Sequence, residues 1–319
     1  MTVTLRHRLE FALARAIESL VSVFPRPSVV AFGELLGQVF YWVDARHRNV
    51  ALENLRRAEL GLSEAEIKAT AQACFRHFGA MFLSNVALGA ASSEDLESWV
   101  QLEGLEHFDA ARAGGKGFIQ LTGHYGDWEA LALAQSLAGR DLSVIARELD
   151  NPLLEPWMQG FRTRFGNRVI TKDGGARGAL KAFRKGDGVG YLLDQDALGM
   201  GLFVPFLGRW ASTFASAGTM AVRLGVPVLP VFSWPTPEGK VKVRFQSPFT
   251  VEPTGDEARD VWEATRRMVG CIEAQIRQDP RWWFWMHNRF KTSPGNPGSP
   301  TLPPVAWLEG IPNLPQEPR

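Results

Sequence analysis

Apolar positions in the first hundred residues recur at helical spacing. Leu9, Leu13, Ala16, Ile17, Leu20 and Phe24 advance in steps of three and four, which predicts an amphipathic helix over 5–24, stopped by Pro25 and Pro27. Residues 28–43 form a second, more apolar helix whose sole charge is Glu34. Such a helix is either buried or laid in the interface plane of a bilayer. The basic stretch Arg46 to Arg57 suits anionic headgroups and equally an ordinary solvated helix face. Ser63 followed by Glu66 makes a capping box that starts a further helix through Cys74, Phe75, Phe78, Met81 and Phe82.

From about residue 117 the period changes. Short apolar runs at 117–122, 142–147, 168–171, 188–194, 226–232 and 240–247 read as strands. Helical stretches at 127–138, 152–165, 175–185, 213–224 and 256–278 lie among them. This alternation predicts an α/β fold with a mostly parallel central sheet covered by helices. Residues 1–60 then form a helical, membrane-associating part of the same domain, and 61–291 the α/β body. Residues 292–319 carry eight prolines and read as an extended or disordered tail.

A net charge of +1 gives no global field for nucleic acid. Two distant cysteines, neither in a CxxC pair, argue against a disulfide framework or zinc site and fit a reducing compartment. The N-terminal apolar segment is broken by Glu10, Arg15 and Glu18, so it does not read as a signal peptide, and no apolar run is long enough for a spanning helix. Eleven tryptophans against three tyrosines suit either a bulky core or a surface that dips into lipid.

The chemistry concentrates in Gly123 to Glu129, GHYGDWE, where the strand 117–122 hands over to a helix. His124 can take and return a proton near neutral pH if a carboxylate fixes its tautomer. Asp127 and Glu129 both lie near, and spacing does not choose between them. The helix N-terminus would offer backbone N–H groups to a developing oxyanion. There is no HExxH, no GxSxG and no GxxxxGK[ST]. Without a serine or cysteine nucleophile beside it, His124 would activate a hydroxyl or amine of the substrate.

GHYGDWE resembles the His-x4-acid signature of the lysophospholipid acyltransferase superfamily, in its branch of bacterial lipid A late acyltransferases. The likeness extends over 1–291: RHRNVALENL, RHFG at 76–79, ARELDNPLLE at 146–155, LLDQD at 192–196, GLFVPFLGRWAST at 201–213, GVPVLPV at 225–231 and WMHNRFK at 285–291 resemble family blocks in order and spacing. The resemblance implies that His124 deprotonates an acceptor hydroxyl on a lipid A precursor and that Glu129 is its acid partner, with Asp127 secondary. It implies an acyl-acyl carrier protein donor, no cofactor, no metal, no acyl-enzyme, and attachment to the cytoplasmic face of the inner membrane. It further implies that Arg147 contacts substrate phosphate, the alternative being a surface ion pair with Glu148 or Asp150. Arg162, Arg164, Arg168 and Lys172 could extend a phosphate-binding rim, or simply form a solvated face. Asp194 and Asp196 end a strand, either in the site or capping the loop and holding Arg147. Phe203 and Phe206, with Val204 and Leu207, could line an acyl groove. Trp282 to Trp285 could join helix 28–43 in a bilayer-facing apron. Two other readings stay open: an enzyme acylating another membrane lipid, such as a mannosylated phosphoinositide or an aminolipid, with acyl-CoA as donor; and a non-catalytic lipid-binding relative.

Overall fold

A computed structural model of the chain describes residues 3–171, 174–312 and 314–315. It opens on helices α1 (Leu5–Val21), α2 (Arg26–Val43), α3 (Ala45–Arg57) and α4 (Glu64–Leu88). Thereafter come α5 (Ser93–Trp99), β1 (Val100–Glu103), α6 (Leu105–Ala113), β2 (Phe118–Thr122), α7 (Trp128–Leu137), β3 (Ser143–Ala146), α8 (Leu154–Thr163), β4 (Arg168–Thr171), α9 (Gly175–Phe183) and β5 (Gly188–Leu192). A hairpin of β6 (Leu202–Phe206) and β7 (Arg209–Thr213) follows, then α10 (Ser216–Leu224), β8 (Val228–Pro235), β9 (Val241–Phe245) and α11 (Glu257–Gln278). The capping box read from Ser63 and Glu66 forms at the start of α4.

The main sheet runs β1-β9-β8-β2-β5-β3-β4. Every neighbouring pair is parallel except β8 with β9, which are antiparallel. All five residues of β2 are buried, as befits a central strand covered on both faces. Ile119 and Leu121 pack on the layer that includes α3, α4, α9, α10 and α11, while Phe118 packs on that of α5, α6, α7 and α8.

The sequence pattern gave no strand over 201–213, where the β6–β7 hairpin forms. Leu207 and Gly208 both take positive φ, 51° and 76°, the backbone twist that two-residue hairpin turns need. Over its described residues the proline-rich tail forms turns and a short 3₁₀ helix, Val305–Trp307, and packs on the body. Thr292 donates through N and Oγ1 to Asp196, and the Trp307 ring lies 6.1 Å from that of Trp262.

α2 sorts its side chains by size. Gly33 and Gly37 face α4, where Gly79 gives them room, while Phe32, Leu35, Leu36, Val39, Phe40, Trp42 and Val43 stand exposed on the outside. A Cβ on Gly37 would come within 2.1 Å of the Phe75 carbonyl oxygen. Gly37→Ala should therefore force the helices apart and cost about 1–3 kcal/mol, outweighing alanine's helix preference. Gly160→Ala in α8, where nothing lies within 4 Å, should instead stabilise by about 0.5–1 kcal/mol. Chemical denaturation of the two variants checks both signs, and a Gly37→Ala midpoint at or above wild type would contradict the close contact.

Candidate active site

Parallel neighbours deliver their following loops to one edge of a sheet. β2 and β5 pair with Thr122 opposite Leu192. Two residues further along each strand stand His124 and Asp194, and they meet. The Asp194 carboxylate accepts the His124 backbone N–H at 2.6 Å and its Nδ1 at 2.8 Å. The Trp283 indole N–H donates to the same carboxylate at 2.7 Å. Asp194 is buried, and burial alone would raise its pKa. The His124 ring beside it and these three donors instead hold it down at about 2. An ionised carboxylate on Nδ1 keeps the proton there, so Nε2 is left as the basic nitrogen. Gln195 Nε2 reaches it at 3.1 Å.

The loop carrying His124 is clamped from outside. Phe284 donates its N–H to the His124 carbonyl at 3.0 Å, and the Gly126 N–H donates to Trp282 O at 2.8 Å. Gly126 has φ 61°, and a Cβ there would lie 1.7 Å from the Ser233 carbonyl oxygen, so only glycine allows this turn. The clamp is itself anchored. Asn54 Nδ2 donates to the carbonyls of Trp285 and His287, both at 2.9 Å, and Cys74 Sγ to that of Trp283 at 3.2 Å. Arg289 is wholly buried and donates to the carbonyls of Gln195 and Ser212 and to Thr213 Oγ1, with its pKa lowered to about 10 by burial.

The other residues singled out by the sequence have the following partners. Glu129 makes no hydrogen bond to His124; its carboxylate takes Arg162 of α8 in a forked pair, the closest approach 2.5 Å. Asp127 caps α7, accepting the Ala130 N–H at 2.9 Å and Asn85 Nδ2 at 3.1 Å, and burial pushes its pKa up to about 6. Arg147 is exposed at the end of β3 and pairs with Asp150 at 2.8 Å, so Asp194 does not hold it. The Asp196 carboxylate accepts from Leu198 and Thr292 and fastens the tail. Arg164 binds the carbonyls of Leu88 and Gly89, and Arg168 pairs with Asp141 and Asp187. Lys172 lies outside the described residues. Phe206 is enclosed by Trp283 and Phe290 rather than lining a groove. Phe203 borders an apolar cavity of about 530 Å³ between α10, α11 and the tail. Trp283 and Trp285 are 1% and 0% exposed, so the bilayer apron of tryptophans does not form.

Rings line the approach to His124. Its imidazole lies 4.9 Å from Trp128, and Trp128 lies 6.0 Å from Phe78. Phe78 in turn meets Phe82 at 6.4 Å, and Phe82 is exposed. A row of packed rings thus links the surface of α4 to the His124 ring. Among the described residues no three histidine, cysteine, aspartate or glutamate side chains converge so as to hold a metal ion.

The chain is 25% identical over 278 residues to a lipid A biosynthesis lauroyltransferase of Escherichia coli, covering 86% of this chain and 89% of that protein. It is 23% identical to a lipid A biosynthesis acyltransferase of Haemophilus influenzae, covering 81% of each, and 24% identical to the E. coli lipid A biosynthesis myristoyltransferase, covering 84% and 81%. A solved glycerophosphate acyltransferase from Thermotoga maritima is similar at 16% identity and a TM-score of 0.37, covering 77% of this chain and 96% of that one. A family model described as bacterial lipid A biosynthesis acyltransferase matches residues 3–292. The chain is an acyltransferase and belongs to the bacterial lipid A biosynthesis acyltransferase family.

Proposed function

We propose that this protein transfers a fatty acyl chain from acyl-acyl carrier protein to a hydroxyl of a lipid A precursor at the cytoplasmic face of the inner membrane. The observation that carries the reading is the His124–Asp194 pair, whose free nitrogen faces Gln195 rather than a serine or cysteine. Among the described residues no serine, threonine or cysteine side chain hydrogen-bonds that nitrogen, and in this reading the alcohol itself is the nucleophile. His124 Nε2 removes the acceptor hydroxyl proton as that oxygen attacks the thioester carbonyl carbon. The C–O bond forms, the C–S bond breaks, and the imidazolium returns the proton to the departing thiolate. The start of α7 follows four residues on, and its first-turn N–H groups suit the oxyanion.

Glu129 then acts as a positioning residue for Arg162. Fixed by its forked carboxylate, Arg162 presents a cation beside the site for an acceptor phosphate, with Arg147 as a second, more exposed one. Exposed Leu5, Leu9, Leu13 and Leu20 on α1, with the outer side chains of α2, give two consecutive helices a surface for the bilayer interface. Among the described residues no helix is long and apolar enough to cross a membrane.

Acyl-transfer kinetics with a purified lipid A precursor test the assignment. His124→Ala should abolish measurable transfer with the fold intact. Asp194→Asn should lower kcat by about 10²–10⁴-fold, because an amide no longer dictates the tautomer. Glu129→Gln should chiefly raise KM for the phosphorylated acceptor and leave the pH profile of kcat in place. A large kcat loss in Glu129→Gln with near-normal Asp194→Asn would return the acid role to Glu129. For the membrane surface, Leu13→Glu or Phe40→Glu should each weaken vesicle partitioning by about tenfold or more, given about 1.5–3 kcal/mol per buried apolar side chain. Unchanged sedimentation with vesicles would remove these helices as the anchor.

A further inference from the structure

Outside the site, the outer face of α9 carries a charge pattern that the reaction does not use. Ala179, Ala182 and Phe183 are buried against the sheet layer. Arg177, Lys181, Arg184 and Lys185 fall on the opposite side and stand exposed. Their spacing of four, seven and eight residues from the first places them on one helix face. With Leu180 they border a shallow depression of about 420 Å³.

These cations are uncompensated. None of the four makes an ion pair among the described residues, whereas Arg223 pairs with Glu257, Arg277 with Glu273, and Lys242 and Arg244 both with Glu103. The whole chain carries 35 basic against 34 acidic residues, so the stripe is a local arrangement and not a consequence of a basic composition. Like charges along one helix face repel each other, and an unpaired row of them focuses a positive potential that favours an acidic partner. A small apolar contact at Leu180 suits the surface of a folded protein better than a bare polyanion.

The placement fits delivery to the site. α9 packs on β3, β4 and β5, whereas α1 and α2 pack on α4. A partner on α9 therefore leaves the proposed bilayer surface free. α9 follows β4 and precedes the parallel β5, so it runs back along the strands with its first turn at the edge that bears His124; Gly175 lies against Ile145 of β3. With strands about 4.8 Å apart and packed layers about 10 Å apart, the start of α9, where Arg177 stands, lies on the order of 15 Å from the His124 loop, and Lys181, Arg184 and Lys185 lie roughly 6–12 Å further along the helix, away from that edge. That is too far for a docked protein to touch the base, and suited to a thioester carried on a flexible arm.

We propose that Arg177, Lys181, Arg184 and Lys185 form the docking face for the acyl donor, engaging an acidic surface of the carrier protein while its thioester reaches His124. The inference rests on the donor reading given under Proposed function. The test uses the full chain, wild type and Lys181→Glu/Arg184→Glu/Lys185→Glu, with the same acyl group offered on acyl carrier protein and as a coenzyme A thioester. Binding of unacylated carrier is read in parallel by fluorescence anisotropy. The variant should raise KM for the carrier donor and weaken carrier binding on the order of tenfold or more, flatten their salt dependence, and leave kcat and coenzyme A thioester transfer unchanged. Wild-type KM and carrier affinity in the variant would overturn the docking face alone. Equal losses with both donors, or lost vesicle binding with carrier KM intact, would also overturn it, the latter in favour of an anionic lipid surface. A wild-type protein that neither binds the carrier nor uses its thioester, yet uses the coenzyme A thioester, would sink the donor reading itself.

Discussion

The structure turns on one buried anion. Asp194 is nearly sealed from water, and a carboxylate in that position is costly unless its lone pairs are met by donors. Three meet it, from places far apart in the chain: the His124 backbone and ring, and the indole of Trp283. Each has its own support. The His124 loop is held by Gly126 against Ser233; Trp283 is held through its carbonyl by Cys74; the turn after Asp194 is held by buried Arg289 on the Gln195 carbonyl. Segments that could otherwise drift are thus fastened around a single ionised group, and the same group fixes the tautomer of the imidazole.

Around that anion the molecule separates polar from apolar work. Glu129, in the first turn of α7, takes Arg162 of α8 in a forked pair and so holds that guanidinium in place. Phe82, Phe78 and Trp128 form a row of packed rings leading from α4 to His124, and α4 is the helix on which α1 and α2 rest with their large side chains turned outward. α2 manages this because glycines on its inner side let the backbones nearly touch, freeing its bulky residues for the outside. The unpaired cations of α9 occupy a separate flank of the sheet, over β3, β4 and β5.

What depends on local pattern was readable in the sequence. The two N-terminal helices, the Ser63 capping box, the alternating strands and helices, and His124 after a buried strand all follow from spacing within one element. The partner of His124 did not, because it arises from register between strands about seventy residues apart. Asp127 and Glu129 are close in sequence, but one is turned inward to cap α7 and the other outward to Arg162. A usable signal existed: Asp194 follows its strand at the same offset as His124 follows its own. The tryptophans at 282–285 misled for a related reason. Their bulk suggested lipid, whereas Trp283 and Trp285 are buried and the Trp283 indole N–H supplies a donor to the buried carboxylate.

Nitrogen-15 NMR of the histidine-labelled protein, with the His124 signal assigned by its loss in His124→Gln, reads the imidazole tautomer directly. With the ring neutral, the account predicts a protonated Nδ1 and an unprotonated, pyridine-like Nε2 in the wild type. A proton resident on Nε2 would contradict it, since that nitrogen could not then accept one from an alcohol.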